Sequence, residues 1–262
     1  MSPRGVNLEN VTVVLHQPRL SENIGTAARA ASNMGLGSLI AVQPNQIRED
    51  ILMASATKGG QRLIENMSVY ENLPDALADF NYVVGTTARV GNKRGPFFTP
   101  RTLARKLISL SQENKIAIVF GPERTGLTTV ELRLCQAVVS IPTNSKTTSS
   151  INLAQAVLIV GYELLLAESD ETLSPPIKMA PVGEVQAMYD HFKRALLELG
   201  FLPEENSDYW IMNFARIFNR AGLTHEDCNL LRGLSRQILR VTEHVPWPKK
   251  TAAPKLEGNK EK

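Results

Sequence analysis

Five short runs of apolar and β-branched residues alternate with segments of helical periodicity over the first two thirds of the chain. Short runs that are apolar throughout are typical of strands that are buried on both faces of a sheet. Strands that alternate with helices form a mostly parallel sheet with helices on both faces. The pattern therefore predicts an α/β fold. The predicted strands are Val11–Leu15, Leu39–Val42, Tyr82–Val84, Ile116–Phe120 and Val138–Ile141.

Two helical patterns begin at polar clusters within this part of the chain. The first runs from about Glu22 to Met34 and carries one apolar stripe, and Gly35 ends it because glycine tolerates a positive φ. The second begins after Ser150 and places Leu153 and Val157 on one face. Both helices are expected to bury that face against the sheet.

The composition changes near residue 173, where a Ser-Pro-Pro segment interrupts the alternating pattern. We predict an α/β domain at residues 1–172, a linker at 173–183, a small helical domain at 184–245 and a disordered Lys-rich tail at 246–262. Helical periodicity within the second domain predicts three helices. These are Glu184–Leu199, Tyr209–Asn219 and His225–Val241.

Composition excludes several classes of protein. Only Cys135 and Cys228 are present, without a Cys-x-x-Cys pair, and there are four His, so neither a disulfide framework nor a metal site is predicted. Residues 1–10 lack a basic segment followed by an apolar one, and no segment approaches the roughly 18 apolar residues of a membrane span. We therefore expect a cytoplasmic protein without a membrane association.

Positive charge is concentrated in one window of the chain. The formal net charge is +3, and the segment after Pro248 accounts for it with five Lys against two Glu (5 − 2 = +3). Residues 80–112 contain no acidic residue. Such a window is found both on nucleic-acid-binding surfaces and on ordinary solvated faces, and the pattern alone leaves both open. Its basic residues are Arg89, Lys93, Arg94, Arg101, Arg105 and Lys106.

Glycine and small polar residues cluster where several predicted strands give way to turns or helices. In open α/β sheets the carboxyl ends of the strands border the ligand-binding crevice. The common phosphate motifs are absent, because Gly35-Leu36-Gly37 lacks the third glycine of a dinucleotide fingerprint and no Gly-Lys-Ser/Thr follows Gly85. There is also no Gly-x-Ser-x-Gly elbow of a hydrolase. The clusters are 23–29, 85–89, 120–127 and 141–153.

Three of these clusters resemble the motifs of the TrmH-like branch of the SPOUT RNA methyltransferases. The matching features are Asn23-x-Gly25-x-x-x-Arg29, the block Phe-Gly-Pro-Glu-Arg-Thr-Gly-Leu at 120–127, and Ile141-Pro142 followed by Ser-Ser-Ile-Asn-Leu at 149–153. They occur in the family's order over roughly residues 8–168. Further segments are similar to the subfamily that methylates cytidine or uridine at position 32 of tRNA, the first nucleotide of the anticodon loop. These are 86–89, 161–164, 199–202 and 230–233.

The resemblance implies transfer of a methyl group from S-adenosylmethionine to a ribose 2′-hydroxyl of tRNA, by a homodimer whose methyltransferase domain is residues 1–172. It also implies a trefoil knot, which periodicity and composition do not indicate. The implied cofactor-binding residues are Thr86, Thr87, Ala88, Gly121, Ile141, Ser149, Ser150 and Ile151. The implied catalytic residues are Arg29, Asn23, Glu123 and Asn152, and the RNA-binding residues are Arg89, Lys93, Arg94 and Arg101.

The residue types suit these roles, although each also has a structural alternative. A guanidinium with a pKa above about 12 is a poor base, so Arg29 is expected chiefly to orient the hydroxyl and a phosphate. Two alternatives remain for Arg29: it removes the proton itself, or it forms a plain ion pair at the surface. Glu123 is expected to fix a guanidinium, whereas Asn23 and Asn152 bind Arg29 or the substrate, or else serve in turns and helix caps. Gly121 either lets the backbone approach a ligand or only forms a turn.

Two other functions remain open at this point. A related member of the same family methylates ribosomal RNA instead of tRNA. A non-catalytic RNA-binding module would keep the fold without transferring a methyl group, but such a module has no need for Arg29 or for complete cofactor motifs.

Overall fold

The structure is a computed structural model that describes residues 5–88, 97–144, 151–168 and 177–244. The chain divides into two compact units, residues 1–183 and residues 184–262. Segment 246–262, predicted to be a disordered tail, lies outside the described residues. The trefoil knot that the resemblance implies stays a prediction.

The first unit contains a seven-stranded sheet in which every pair of named strands is parallel. The strand order is β3-β2-β1-β6-β4-β7-β5. This arrangement confirms the predicted α/β class with a mostly parallel sheet. The strands are β1 (Val11–His16), β2 (Ser38–Val42), β3 (Ser68–Tyr70), β4 (Tyr82–Thr86), β5 (Phe97–Phe98), β6 (Ile116–Phe120) and β7 (Ala137–Val139).

Helices cover both faces of this sheet. Successive residues of a strand point to opposite faces, so a strand that is buried throughout needs helices on both. In β1, Val13 belongs to a core with α1, α5 and α7, whereas Val14 belongs to a second core that includes Leu73 and Leu77 of α4. The predicted helices on both faces are thus confirmed. The helices of this unit are α1 (Ser21–Asn33), α2 (Glu49–Ser55), α3 (Lys58–Glu65), α4 (Leu73–Leu77), α5 (Pro100–Leu110), α6 (Thr129–Leu132) and α7 (Leu153–Leu166).

The structure differs from the strand pattern of the sequence at one predicted strand and at two short strands that the pattern does not show. The last predicted strand, Val138–Ile141, was placed too far along the chain, since β7 ends at Val139 and Ile141 lies in irregular backbone. Edge strands β3 and β5 were not predicted, because three and two residues are too few to show a period.

The second unit is built from helices α8 (Val182–Glu198), α9 (Ser207–Ala221) and α10 (His225–His244), with a 3-10 turn at Glu204–Asn206. Aromatic rings join the first two helices. The Phe192 and Phe214 rings meet edge to face with centroids 5.4 Å apart, and the Tyr189 and Phe218 rings are 6.4 Å apart. Within the predicted linker, residues 177–181 have no helix or strand.

Candidate functional site

A cleft with a volume of about 490 Å³ lies at the carboxyl ends of three neighbouring strands, β4, β6 and β7. Since parallel strands end at the same edge of a sheet, the segments that follow these strands converge there. The start of α7 closes the remaining side. The lining residues are Thr86, Thr87, Ala88, Phe120, Gly121, Pro122, Glu123, Arg124, Thr125, Gly126, Leu127, Thr128, Thr129, Val139, Ile141, Ile151, Leu153 and Ala156.

One wall of the cleft is the loop at residues 121–128, which we call the β6 wall. Its first part is a tight turn in which the Gly126 N–H donates to Pro122 O at 2.8 Å, and Gly126 adopts a φ of 63° that favours glycine. The turn brings the backbone back onto Gly121. A Cβ atom added at Gly121 would lie 2.5 Å from Leu127 N. The β6 wall can therefore keep this conformation only if residue 121 has no side chain.

The cleft combines apolar surface with a smaller number of polar groups, which is the usual composition of a small-molecule site. Val139 and Leu153 are buried side chains that face it, and Ile141 is partly buried. The Thr86 and Thr125 hydroxyls add polar groups at its border. The cleft can thus hold a partly planar organic ligand that carries hydrogen-bonding substituents.

Glu123 is held at this site by a residue one hundred positions earlier in the chain. Asn23 Nδ2, in the first turns of α1, donates to Glu123 Oε1 at 2.5 Å. The second carboxylate oxygen, Oε2, is buried and has no hydrogen-bond partner among the described residues. Because a buried polar atom without a partner is costly, Oε2 is a ready acceptor for a ligand or for another side chain.

Arg29 is not among the residues that line the cleft of its own chain. It lies on the exposed face of α1, and its backbone packs against α3, where a Cβ added at Gly60 would be 2.9 Å from Arg29 N. No described residue forms a hydrogen bond or an ion pair with its side chain. The surface ion pair considered as an alternative for Arg29 is therefore not formed within the described residues.

Gly25, in the same motif, has a packing role. A Cβ atom there would lie 2.5 Å from Leu52 O, so the missing side chain allows α1 to lie close against α2. Glycine at this position of the motif is thus explained by the contact between the two helices.

Asn152 is the N-cap of α7. Its Oδ1 accepts from Ala154 N–H at 2.9 Å and from Gln155 N–H at 3.4 Å, which satisfies backbone donors of the first turn. The cap fixes the start of the helix that closes the cleft. Its side chain is otherwise exposed, and the catalytic role stays a prediction.

Among the predicted RNA-binding residues, Arg101 is described and is already paired. Its Nε and Nη2 donate to the Glu163 carboxylate at 3.2 and 3.3 Å, and this hydrogen bonding raises the pKa of Arg101. The pair is exposed on the Arg101 side, so water screens it. Arg89, Lys93 and Arg94 lie outside the described residues.

Six of the eight predicted cofactor-binding residues line the cleft: Thr86, Thr87, Ala88, Gly121, Ile141 and Ile151. Ser149 and Ser150 lie outside the described residues. The sequence reasoning did not assign Arg124, Leu127 and Ala156, although Arg124 and Leu127 belong to the same motif as Gly121. Leu153 both is buried and lines the cleft, whereas Ile159 of the same helix is exposed.

No helix among the described residues is both long enough and apolar enough to span a membrane. Within the same ranges, no three His, Cys, Asp or Glu side chains form a group that could hold a metal ion.

Comparison with protein families gives a match to each unit. The SpoU rRNA Methylase family matches residues 10–162, which include every described residue of the cleft. The C-terminal domain of the tRNA methyltransferase TrmJ matches residues 183–246.

Individual relatives match over nearly the whole chain. A tRNA (cytidine/uridine-2′-O-)-methyltransferase TrmJ from Sodalis glossinidius is 35% identical over 252 residues, which are 94% of this chain and 96% of the relative. The enzyme of the same name from Citrobacter koseri is 34% identical over 88% of this chain and 97% of the relative. The crystal structure of TrmJ from Z. mobilis ZM4 superposes with a TM-score of 0.74 at 31% identity, covering 87% of this chain and 98% of the other.

Proposed function

Because the chain belongs to the SpoU methylase family, in its TrmJ branch, we propose that it methylates a ribose 2′-hydroxyl of tRNA with S-adenosylmethionine as the donor. The predicted family is thereby confirmed, and the chain is a methyltransferase. The target is cytidine or uridine at position 32, and the reaction takes place in the cytoplasm. Residues 1–172 carry the transfer, and residues 184–245 form a separate helical domain.

The observation that carries this proposal is the cleft at the carboxyl edge of the sheet. Its apolar residues suit an adenine ring, and the buried Glu123 Oε2, which no described residue hydrogen-bonds, calls for a hydrogen-bond donor. The site therefore fits S-adenosylmethionine, which supplies a methyl group on a positively charged sulfur. Thr86, Thr87, Ala88, Gly121, Ile141 and Ile151 would hold it, together with Ser149 and Ser150.

The chain's own residues must orient the acceptor hydroxyl and exclude water from it. Arg29 is exposed and is not among the residues that line the cleft of its own chain. The C-cap of α1 lies against α7, since a Cβ at Gly161 would be 2.9 Å from the Met34 side chain. In a dimer that pairs these helices, Arg29 reaches the cleft of the partner copy. There Glu123 Oε2 accepts from its guanidinium, Asn23 holds Glu123 in place, and Asn152 sets the start of α7.

RNA phosphates are bound by positive charge around the cleft. Arg124 lines it, is exposed and has no ion-pair partner among the described residues, so its charge is available to a phosphate near the target nucleotide. Arg89, Lys93 and Arg94 add to this charge, and Arg101 adds less because Glu163 offsets it.

The homodimer is supported by the outer face of α7. The inner face, with Val157 and Val160, is buried in the core of the same chain. The outer face is also apolar, and exposed apolar residues grouped on one face of a helix mark an interaction surface. A second copy of the chain covers it. Its exposed residues are Leu158, Ile159, Tyr162, Leu165 and Leu166.

Replacing Leu165 with glutamate should therefore convert the dimer into a monomer and reduce methyl transfer with it. A charge buried in an apolar interface without a partner costs several kcal/mol, roughly the 3–5 kcal/mol of a broken buried pair. Leu165 is 47% exposed in the single chain, and Val69 on edge strand β3 is 52% exposed, so Val69→Glu is the matched control. Sedimentation of both variants checks the prediction. A dimeric Leu165→Glu variant, or a monomeric wild type, would contradict it.

The function is tested by incubating the wild-type protein with S-adenosylmethionine and tRNA, followed by nucleoside mass spectrometry. We expect 2′-O-methylcytidine or 2′-O-methyluridine that maps to position 32, and no product on ribosomal RNA under the same conditions. Product on ribosomal RNA alone would favour the other branch of the family. Binding of tRNA without any labelled methyl transfer would favour a non-catalytic module.

A further inference from the structure

A buried histidine lies behind the β6 wall without lining the cleft. His16, the last residue of β1, has a side chain that is 4% exposed, and its Nε2 lies 2.9 Å from Glu131 Oε1. Its other ring nitrogen, Nδ1, is buried with no hydrogen-bond partner among the described residues. The contact with Glu131 is thus the polar interaction that holds this ring among the described residues. Because a carboxylate only accepts, the hydrogen lies on Nε2, and Nε2–H donates to Glu131.

Glu131 uses its second oxygen to hold the end of the β6 wall. The Thr128 N–H donates to Glu131 Oε2 at 2.6 Å, and the Glu131 N–H donates to Thr128 Oγ1 at 3.3 Å, so that the two residues form a capping box at the start of α6. Burial alone would raise the pKa of Glu131, but hydrogen bonds from the Thr128 backbone and from His16 outweigh it and lower that pKa. One charged carboxylate therefore connects Thr128 to His16.

The connection joins two parts of the fold that are far apart in sequence. His16 belongs to the sheet, 115 residues before Glu131, whereas Thr128 and Leu127 line the cleft. The backbone of Leu127 is also the part of the wall that lies against Gly121. A movement of Glu131 would thus move the last residues of the wall toward or away from the ligand.

We propose that His16 is a positioning residue for methyl-donor binding, which acts by holding Glu131 so that Thr128 and the β6 wall keep the conformation that binds the donor. The proposal rests on the proposed function of the cleft. It concerns ligand affinity, and His16 itself touches neither the donor nor the RNA.

The test measures S-adenosylhomocysteine affinity by titration calorimetry on the full-length protein, with thermal unfolding in parallel. His16→Leu removes the donor to Glu131, and we expect binding to weaken about tenfold, the effect of losing one charge-assisted hydrogen bond. His16→Gln carries an amide nitrogen at the same number of bonds from Cα, and it should restore most of the affinity. The tRNA affinity of both variants should stay at the wild-type value.

A double-mutant cycle identifies the route. Glu131→Ala should weaken S-adenosylhomocysteine binding at least as much as His16→Leu, and the double variant should be no weaker than Glu131→Ala alone. A His16→Leu protein that unfolds at a lower temperature but binds S-adenosylhomocysteine with wild-type affinity would overturn the proposal. Wild-type affinity in the Glu131→Ala protein would overturn it as well, and this second test applies even if the His16→Leu protein does not fold. A wild-type protein that fails to bind S-adenosylhomocysteine would instead contradict the proposed function.

Discussion

Replacing Arg29 with alanine should lower kcat for methyl transfer by about a thousandfold, the loss expected when a group that stabilises and orients the reacting atoms is removed. Binding of S-adenosylhomocysteine should stay close to the wild-type value, because the proposed partners of Arg29 are the acceptor hydroxyl and Glu123 and not the methyl donor. Arg29→Lys should recover only part of the rate, since lysine keeps the charge but lacks the planar pair of donors. Single-turnover methylation of tRNA and calorimetric titration measure the two effects separately.

The matched control for this prediction is Arg62→Ala, because Arg62 is an exposed arginine on the neighbouring helix α3. It should leave kcat unchanged. If kcat of the Arg29→Ala protein lay within about tenfold of the wild-type value, the prediction would be contradicted. A side chain that is positioned to act on the reacting group contributes about a hundredfold or more to the rate.

Mixed dimers decide which cleft Arg29 serves. If each site combines one chain's cleft with the partner's Arg29, mixing inactive Arg29→Ala and Gly121→Ala chains should restore about a quarter of the wild-type activity, because half of the dimers are mixed and each has one intact site. If Arg29 served the cleft of its own chain, no mixed dimer would contain an intact site, and the mixture would stay inactive.

Gly121→Ala should abolish methyl-donor binding, with S-adenosylhomocysteine affinity reduced more than about a hundredfold because the ligand would lose several fitted contacts. The added Cβ atom would lie 2.5 Å from Leu127 N and 2.6 Å from the Gly126 carbonyl carbon. Both are backbone atoms of the β6 wall, so the conflict is relieved only if the wall shifts. We also expect the free energy of unfolding to fall by about 1–3 kcal/mol, the usual cost of overpacking.

The Gly126→Ala variant separates this steric effect from the cost of placing alanine in a backbone conformation that favours glycine. No atom of the described residues lies within 4 Å of a Cβ added at Gly126, but its φ of 63° is unfavourable for alanine by about 1–2 kcal/mol. It should therefore lower stability while S-adenosylhomocysteine still binds with an affinity nearer to the wild type. Calorimetry and thermal unfolding of both variants check the contrast, and near-wild-type binding by Gly121→Ala would contradict it.

Several features of the site were predictable because they depend on local sequence. The longer strands and helices α1 and α7 follow from apolar periodicity, which reports which side of an element is buried. Three of the four clusters, 85–89, 120–127 and 141–153, identified most of the cleft, because the topology of a parallel sheet brings such segments to one edge. Short elements such as β3, β5 and α6 span too few residues to show a period.

Other features follow only from how distant segments pack. The hydrogen bond from Asn23 to Glu123 joins residues 100 positions apart, and the contact between His16 and Glu131 joins residues 115 positions apart. His16 follows an apolar run as an ordinary polar residue, and its local sequence does not indicate that its ring is buried. The motif that contains Arg29 likewise does not indicate that this residue is exposed on α1 and is not among the residues that line the cleft of its own chain.

The sequence by itself determined the α/β class, the order of the main elements, the family and the segments that form the cleft, since these depend on periodicity and on motifs that are read locally. Only the tertiary structure decided which side chains meet. It showed that Gly25 serves helix packing, that Glu163 pairs with Arg101, and that one oxygen of Glu123 has no hydrogen-bond partner within the described part of the chain. The physical reason is that burial and hydrogen bonding are properties of a neighbourhood, and chain folding assembles each neighbourhood from segments that are far apart in sequence.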